Sequence, residues 1–365
     1  MSVQLSMSRP AKATIDLAAF RHNYRIAKQL HGGKALAVIK ANAYGHGALQ
    51  CAKAIENEAN GFAVACLEEA MQLRQAGIKN PVLLLEGFFE ANELAEIVTN
   101  DLWLVIHAQW QLTILLAAKL TKPVQVWLKL DSGMHRVGFS AEAYAEVYAQ
   151  LNGHQNIANI VLMSHFADAD DITSEHTNQQ LAAFNQVISK IENPIISLAN
   201  SAAILGWKNT HENWSRPGIM LYGTDPLMHT ETPLRPVMQL TSQIISIRQI
   251  SKGEAIGYGS IFVAERDTLV GVVACGYADG YPRSAIAAPV VVEGQLTRII
   301  GRVSMDMLMV DLTDISQAKI ASFAIGSSVE LWGSQVSANA VAKAAGTIAY
   351  ELFCNVKRVK FVYSN

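Results

Sequence analysis

Residues 124–140 read VQVWLKLDSGMHRVGFS and contain one complete unit of the pattern that decides the fold. The apolar run at 124–130 predicts a short buried strand, and polar residues follow it directly. Ser140 then stands where the N-cap of a helix is expected. A strand, a polar loop and a helix in this order are typical of α/β proteins with a parallel sheet.

The same pattern recurs up to residue 222 and predicts eight strands with helices between them. The runs are nearly continuous in apolar residues, as in parallel strands that are covered on both faces. Eight such units predict an α/β fold of the (β/α)8 TIM-like barrel type. A doubly wound open sheet is the alternative, because periodicity does not show whether a sheet closes. The eight runs are residues 35–39, 61–67, 82–85, 102–106, 124–130, 160–163, 195–198 and 217–222.

One predicted helix has a clear apolar face. Leu181, Phe184, Ile188 and Ile191 are spaced by three or four residues, so they would form one stripe against the core.

The pattern changes after Gly223. Residues 224–236 are rich in Thr, Pro and His, and shorter runs with Gly and Pro between them follow. We therefore predict two domains, a barrel at 1–232 and a mostly β domain at 233–365 with one late helix near 338–345. The predicted strands of the second domain are residues 243–250, 269–275, 290–292, 308–312 and 329–332.

The composition is that of a globular protein, since half of the 365 residues are apolar and 16% are charged. A net charge of −2 gives no strong field, so we expect no nucleic-acid or membrane partner. The N-terminus lacks the apolar core of a signal peptide, and no apolar run approaches the roughly 18 residues of a membrane span. Four cysteines without C-x-x-C spacing suit reduced thiols, so we predict a cytoplasmic protein.

Polar residues directly after the predicted strands mark the candidate site, because barrel enzymes place their active sites there. Lys40 at a dry barrel mouth can lose its proton by desolvation and act as an amine nucleophile. Ser201 and the amides around Gly218 are suited to a phosphate, because the loops after strands seven and eight often bind one. The residues found in this way are Lys40, Lys129, Asp131, Arg136, His165, Asn200, Ser201 and Arg216, the last at the start of the eighth run.

Each of these residues also has an ordinary structural interpretation when it is taken alone. Lys40 can be a solvated lysine, His165 a core histidine and Arg216 a surface arginine in an ion pair. The acidic residues at 168–171 indicate a solvated loop, and no histidine has metal-ligand spacing. We predict no catalytic metal.

Eight motifs in order resolve these alternatives. The segment AVIKANAYGHG at 37–47 resembles the pyridoxal-phosphate motif of the alanine racemases. Seven further segments are similar to that family, so the resemblance covers nearly the whole chain. They are LKLDSGMHRVGF (128–139), SHFADAD (164–170), ANSAA (199–203), RPGIMLYG (216–223), GYGSIF (257–262), GYADGYPR (276–283) and GRVSMDMLMVD (301–311).

The resemblance implies a pyridoxal 5'-phosphate enzyme that interconverts L-alanine and D-alanine, the latter for peptidoglycan, as a homodimer with shared active sites. It implies that Lys40 holds the cofactor and is one catalytic base, and that Tyr258 of the partner subunit is the other. Two opposed bases suit racemisation, because the α-carbon loses a proton on one face and regains it on the other. A tyrosine with a pKa of about 10 needs positive neighbours to act as a base, and Arg216 and His165 are candidates.

The resemblance also implies what Arg216 does. The matching residue faces the pyridine nitrogen of the cofactor, and an arginine keeps its proton. The ring is then a weaker electron sink, which favours racemisation over other reactions.

Further roles are implied residue by residue. Tyr44, Ser201 and the amides of Gly218 and Ile219 match the phosphate cradle, and His165 lies beside the cofactor. Arg136 and the amide of Met305 match contacts to the substrate carboxylate. The residues that match the narrow substrate entrance are Tyr277, Asp279, Tyr281 and Asp306.

The resemblance has further implications at Lys129, at Ser132 and in the segment after Cys354. Lys129 matches a lysine that is carbamylated in many relatives, and strand alternation directs it into the barrel, where a free ammonium needs compensation. Ser132 replaces a common threonine and keeps the hydroxyl. The segment NVKRVKFV after Cys354 lacks a tyrosine that helps to hold the phosphate in many relatives.

Related enzymes and a non-catalytic binding protein are the alternatives to this interpretation. A basic-amino-acid decarboxylase or a broader racemase has the same barrel-plus-β plan, but Tyr258, Met305 and the motif at 276–283 match alanine racemases, and no signal peptide or disulfide pair favours the secreted broad-specificity enzymes. A non-catalytic pyridoxal-phosphate carrier is a single barrel, and the residues after Gly223 argue against it.

Overall fold

The structure, a computed structural model, describes residues 8–229, 231, 233–315 and 323–365. These residues form two compact units. The barrel unit contains Phe20–Leu221 and the described part of Asp225–Leu234. The β unit contains the described residues up to Ala19, Tyr222–Thr224 and the described part of Arg235–Asn365. The predicted boundary falls on residue 232, which lies outside the described residues.

The barrel unit is built on eight parallel strands that close into a barrel. Strand β1 (Lys12–Asp16) precedes it in the sequence and belongs to the other unit. The predicted (β/α)8 barrel followed by a mostly β domain is therefore confirmed, and the open sheet is wrong. The barrel strands are β2 (Lys34–Val38), β3 (Gly61–Val64), β4 (Val82–Leu84), β5 (Leu102–Ile106), β6 (Val124–Lys129), β7 (Ile157–Met163), β8 (Ile195–Ser197) and β9 (Trp214–Ser215).

The prediction for the eighth strand is wrong. The strand that pairs with β2 and closes the barrel is the two-residue β9, whereas the apolar run at 217–222 contains the 3-10 helix Ile219–Tyr222. Arg216 therefore follows the last strand instead of opening it. An apolar run of this length is compatible with either element, because both are buried here.

Helices surround the barrel, and two of the predictions about them can be checked. Ser140 is an N-cap whose side chain accepts a hydrogen bond from the amide of Ala143. Leu181, Phe184 and Ile188 are buried, but Ile191 lies beyond the end of their helix. The helices are α1 (Leu17–His31), α2 (Lys40–Tyr44), α3 (Ala48–Ile55), α4 (Leu67–Gln75), α5 (Glu93–Thr99), α6 (Gln109–Ala117), α7 (Ala141–Leu151), α8 (His176–Ile188) and α9 (Ser201–Gly206), with a 3-10 turn at Lys208–Thr210.

Three tryptophans fill part of the barrel interior. Trp103, Trp127 and Trp214 come from β5, β6 and β9, and their ring centroids are 5.6–6.3 Å apart. The ammonium of Lys34 lies 5.1 Å from the ring centroid of Trp214, within cation–π range. Side chains two residues apart on a strand share a face, so Lys129 points into the same interior as Trp127.

The β unit is organised around the long strand β10, which pairs with β1, β13 and β17. Strand β1 also pairs in parallel with the last described strand, so an early and a late segment of the sequence share one sheet. A second late helix, which the sequence pattern did not indicate, follows the predicted one. The elements are β10 (Met238–Ile250), β11 (Ala255–Ile256), β12 (Phe262–Val263), β13 (Thr268–Val273), β14 (Pro289–Val292), β15 (Gln295–Arg298), β16 (Leu308–Asp311), β17 (Ser328–Trp332), α10 (Ala338–Ala345), α11 (Ala349–Asn355) and β18 (Lys360–Ser364), with 3-10 turns at Tyr258–Ser260 and Tyr277–Asp279.

Gly87, at the carboxyl end of β4, tests how tightly the barrel loops are packed. It has a φ of +72°, and an added Cβ would lie 2.3 Å from the carbonyl oxygen of Val105. Gly77 has a similar φ of +86° with open space around it. We expect Gly87→Ala to lower the free energy of unfolding by about 1–3 kcal/mol more than Gly77→Ala, because only the former also creates a backbone clash. Thermal unfolding midpoints of the two variants measure the difference, and equal midpoints would contradict the packing described here.

Candidate active site

The turn that follows β2 has a left-handed backbone and carries Lys40 at its start. Residues 41–44 have φ values of 50–54°, a conformation that costs non-glycine residues about 1–2 kcal/mol each. Glu69 accepts a hydrogen bond from the amide of Ala41 at 2.6 Å. His46 donates from Nδ1 to two carbonyl oxygens of the turn at 2.9 and 3.0 Å, and burial lowers its pKa to about 4. These contacts hold a strained segment in one conformation, as is frequent at functional sites.

A cradle of hydrogen-bonding groups lies at the carboxyl ends of β8 and β9. Ser201 Oγ accepts hydrogen bonds from the amides of Gly218 at 2.8 Å and Met220 at 3.3 Å. The Tyr44 hydroxyl lies 2.7 Å from the position that a Cβ on Gly218 would take, so a larger residue there would displace the tyrosine side chain. Hydroxyl and amide groups that converge beside a glycine fit the phosphate of pyridoxal phosphate. Ile219, buried, starts the 3-10 helix next to this cradle.

Arg216 is a buried cation that is held by neutral groups. It is 4% exposed and donates hydrogen bonds to the carbonyl oxygens of Ser164 at 2.5 Å, Ser197 at 2.9 Å and Leu198 at 3.2 Å. A fourth bond goes to the Ser197 hydroxyl at 2.5 Å. Burial lowers the pKa of Arg216 to about 10, so the guanidinium remains charged near neutrality. No carboxylate of the described residues forms an ion pair with it.

Other cations surround His165 and leave it neutral. Desolvation and the charges of Arg216, Lys129, Arg136 and Lys40 hold the pKa of His165 well below its usual range. Of the two candidates for the positive neighbour of the catalytic tyrosine, this shift therefore favours Arg216 over His165. The structure therefore brings these five predicted residues of the barrel close together.

Lys129 lies inside the barrel with 5% of its surface exposed. Desolvation, followed by the charges of Arg216 and Arg136, lowers its pKa to about 8, although Asp131 acts in the opposite direction. Within residues 8–229, its ammonium takes part in no hydrogen bond or ion pair. An amine with this pKa is partly neutral at physiological pH and is nucleophilic.

The loop that carries Arg136 is closed at its base. Phe139 forms two backbone hydrogen bonds of 2.9 Å, one to the carbonyl of Lys129 and one from the amide of Asp131. The Asp131 carboxylate accepts from the amides of Gly133 and His135. Burial alone would raise the pKa of Asp131, but these amides lower it below its usual value. The exposed side chain of Arg136 is presented by this closed loop.

Three predicted residues of the β unit lie at its surface. Tyr258 begins a 3-10 turn after β11 and is 67% exposed, and Met305 is 52% exposed. The amides of Tyr277 and Ala278 donate to the carbonyl oxygens of Ser304 and Met305 at 3.0 Å, so Tyr277 is held beside Met305. Tyr277 also borders a cavity of about 620 Å³ whose polar lining includes Arg283, Arg302, Glu351 and Lys357.

The other three predicted entrance residues differ in exposure. Asp279 is fully buried and forms a 2.7 Å ion pair with Arg9. Arg358 forms an ion pair with Asp306 at 2.9 Å and lies 3.8 Å from Asp279, so the two carboxylates share one network. Tyr281 is buried, borders the same cavity and stacks on Trp332 with ring centroids 5.7 Å apart. Burial raises the pKa of the Tyr281 hydroxyl.

Sequence reasoning missed several residues that shape the site. Ser164 and Ser197 hold Arg216. Ser164 directly follows the run at 160–163, so the strand-end rule could have found it, whereas Ser197 lies within the run at 195–198. Glu69 and His46 hold the left-handed turn, and only His46 lies in a quoted motif. No spacing rule would have identified Glu69, because its partner is 28 residues away in the sequence.

No group of three or more His, Cys, Asp or Glu side chains is arranged to hold a metal ion in the described part of the chain. No helix that the structure describes has the length and apolar character needed to cross a bilayer.

A closed (β/α)8 barrel with basic residues at the carboxyl ends of its strands and a β-rich unit defines a class of α/β-barrel enzymes. Comparison with known proteins narrows this class. Residues 15–226 match the family described as "Alanine racemase, N-terminal domain", and residues 237–363 match "Alanine racemase, C-terminal domain". The chain belongs to the alanine racemase family, so the resemblance is confirmed.

Individual relatives are similar over nearly the whole chain. An alanine racemase from Pseudomonas taetrolens is 56% identical over 96% of this chain and 98% of its own length. A catabolic alanine racemase from Pseudomonas aeruginosa is 52% identical over 98% of this chain and 99% of its own length. The crystal structure of the biosynthetic alanine racemase from Pseudomonas aeruginosa has a TM-score of 0.93 and 47% identity, and the match covers 98% of this chain and 100% of that one.

Proposed function

We propose that this chain is a pyridoxal-phosphate-dependent alanine racemase that interconverts L-alanine and D-alanine. The observation that carries the proposal is the barrel mouth. There, Lys40 begins a strained turn that ends at Tyr44. The Tyr44 hydroxyl lies against Gly218, whose amide donates to Ser201 Oγ, and these groups form a cradle that fits a phosphate. Membership of the family supports the choice of substrate.

The proposed cofactor contacts follow from this arrangement. Ser201 Oγ accepts two amide hydrogens, one of them from Gly218, and would donate its own hydrogen to a phosphate oxygen. Tyr44 and the amide of Ile219 would bind other phosphate oxygens, and the Gly218 amide would do so by exchanging its present acceptor. Arg216 would face the pyridine nitrogen and His165 would lie beside the ring. When bound, pyridoxal phosphate supplies an electron-withdrawing ring that makes the α-hydrogen of an amino acid more acidic.

The proposed proton carriers are Lys40 on one face of the α-carbon and Tyr258 of the partner subunit on the other. Arg136 would bind the substrate carboxylate as a charged fork, together with the amide of Met305. The substrate entrance would be shaped by Tyr277, Asp279, Tyr281 and Asp306. Of these, Asp279 and Tyr281 are buried and would support the wall of the entrance. A homodimer with shared sites follows from this assignment, and the high exposure of Tyr258 supports it. The proposed location is the cytoplasm.

The physiological role proposed is supply of D-alanine for peptidoglycan. A racemase works in both directions, and some relatives are named catabolic, so the test is whether this chain can supply D-alanine to a growing cell. Expression of this chain should restore growth of a bacterial strain that requires D-alanine, and a Lys40→Ala variant should not.

The two-base assignment can be tested with optical activity. Purified protein with pyridoxal phosphate should abolish the optical rotation of L-alanine. Tyr258→Phe should bind the cofactor normally but lower kcat by about 10²–10⁴-fold, because it removes the proton carrier of one face. Tyr363→Phe, at another partly exposed tyrosine of the β unit, should retain wild-type kcat. Full activity of Tyr258→Phe would remove Tyr258 from this role.

The phosphate cradle can be tested by filling it. A methyl group in Gly218→Ala would crowd the Tyr44 hydroxyl, so we expect the Kd for pyridoxal phosphate to rise by about tenfold or more. Ser140→Ala, which removes a helix N-cap remote in sequence from the cradle, should lower stability by about 1 kcal/mol and leave the Kd unchanged. Equilibrium titration by absorbance gives both values, and an unchanged Kd for Gly218→Ala would place the phosphate elsewhere.

Carbamylation of Lys129 is a further part of the proposal. Carbon dioxide reacts with the neutral amine, whose fraction rises as the pH passes upward through about 8. At fixed dissolved carbon dioxide, ¹³C-labelled bicarbonate should therefore give a carbamate resonance that grows across this range and is absent from Lys129→Ala. A wild-type spectrum without that resonance would show that the ammonium is compensated in another way.

A further inference from the structure

Gln180 connects helix α8 to the loop that follows β7. Its side chain is 1% exposed, and its Oε1 accepts a hydrogen bond from the amide of Ala167 at 2.9 Å. Its Nε2 donates to the carbonyl oxygen of His165 at 3.2 Å. Both partners are backbone groups with a fixed role as donor or acceptor, so the orientation of the Gln180 amide is determined.

The second hydrogen of Gln180 Nε2 begins a chain of hydrogen bonds. Nε2 lies 3.5 Å from Ser132 Oγ, which lies 2.8 Å from Ser164 Oγ. Ser164 Oγ donates to the carbonyl oxygen of Leu130 at 2.9 Å. Each hydroxyl has one hydrogen, so Ser132 must donate to Ser164 and accept from Gln180. The chain therefore has one direction, from the helix through both serines to the end of β6.

This chain passes through Ser164, one of the residues that hold the buried cation. The Ser164 carbonyl accepts the 2.5 Å hydrogen bond from Arg216, and His165 is the next residue. Gly133, next to Ser132, packs closely on the same helix, because an added Cβ would lie 3.2 Å from Gln180 Cγ. The loops after β6 and β7 are thus both fixed to one side chain on α8.

We propose that Gln180 and Ser132 are positioning residues of the racemase site, which hold the backbone of residues 164–167 so that Arg216 and His165 keep their places. This inference rests on the proposed function. A displacement of about 1 Å in a group near the reacting atoms can lower a rate by about 100-fold. Gln180 and Ser132 act only through Ser164, His165 and Arg216, and they do not touch the reacting atoms.

Conservative substitutions test this proposal, because they change the hydrogen bonding of a side chain with little change in its volume. Gln180→Glu keeps the acceptor for Ala167 but replaces the donor that faces the His165 carbonyl. Ser132→Ala removes the link between the helix and Ser164, whereas Ser132→Thr keeps a hydroxyl. Gln179→Glu makes the same change of charge at the neighbouring exposed position and serves as the matched control.

Two measurements on the holoenzymes distinguish positioning from a purely structural role. We expect Gln180→Glu and Ser132→Ala to lower the kcat of the folded protein by about 10- to 100-fold with KM changed less than about threefold. Ser132→Thr and Gln179→Glu should remain near wild type. The imidazole NMR resonance of His165, assigned with His165→Gln, should shift in the first pair only, in holoenzyme and in cofactor-free protein alike.

Each outcome bears on the inference. Wild-type kcat and an unmoved His165 resonance in Ser132→Ala, with only a lower thermal midpoint, would overturn it. If Gln180→Glu does not fold, the comparison of Ser132→Ala with Ser132→Thr decides by itself whether the inference holds. If the wild-type holoenzyme does not racemise alanine, the proposed function fails, and the His165 resonance still shows whether the two residues position this segment.

Discussion

Burial of the Arg216 guanidinium among neutral acceptors is the constraint on which the rest of the site depends. An isolated buried charge is costly, and four hydrogen bonds from the ends of β7 and β8 offset part of that cost. No carboxylate of the described residues neutralises it, so its field adds to the larger effect of desolvation in lowering the pKa values of Lys129 and His165. A site with this excess of positive charge is suited to anionic groups such as a phosphate and a carboxylate.

The second constraint is the left-handed turn after β2. Four successive residues with positive φ are unfavourable, and the turn persists because Glu69 and His46 bind its backbone groups. The turn places Lys40 at the end of a strand and returns Tyr44 to the cradle beside Gly218. Strain in this segment is therefore linked directly to the positions of two proposed cofactor ligands.

Sequence patterns predicted much of this arrangement, and their failures have physical causes. Seven of the eight predicted barrel strands overlap observed ones, because a buried parallel strand needs a continuous apolar run. The run predicted as the eighth strand forms a buried 3-10 helix, because burial selects apolar residues in either element, and the strand itself lies just before it. Residues directly after strands were found by position, whereas the Gln180–Ser132–Ser164 chain joins positions that are up to 48 residues apart and has no local pattern.

The sequence by itself determined the family and the succession of strands and helices, and it indicated the candidate lysine, arginine and serine, because periodicity and local motifs are properties of neighbouring residues. Only the tertiary structure decided that β1 pairs with β18 and that a two-residue strand closes the barrel. It also decided that His165 is neutral and that Asp279 and Tyr281 are buried. Desolvation, charge–charge interactions and strand pairing depend on distances between residues that are remote in the sequence, so they follow from the folded chain and not from its order.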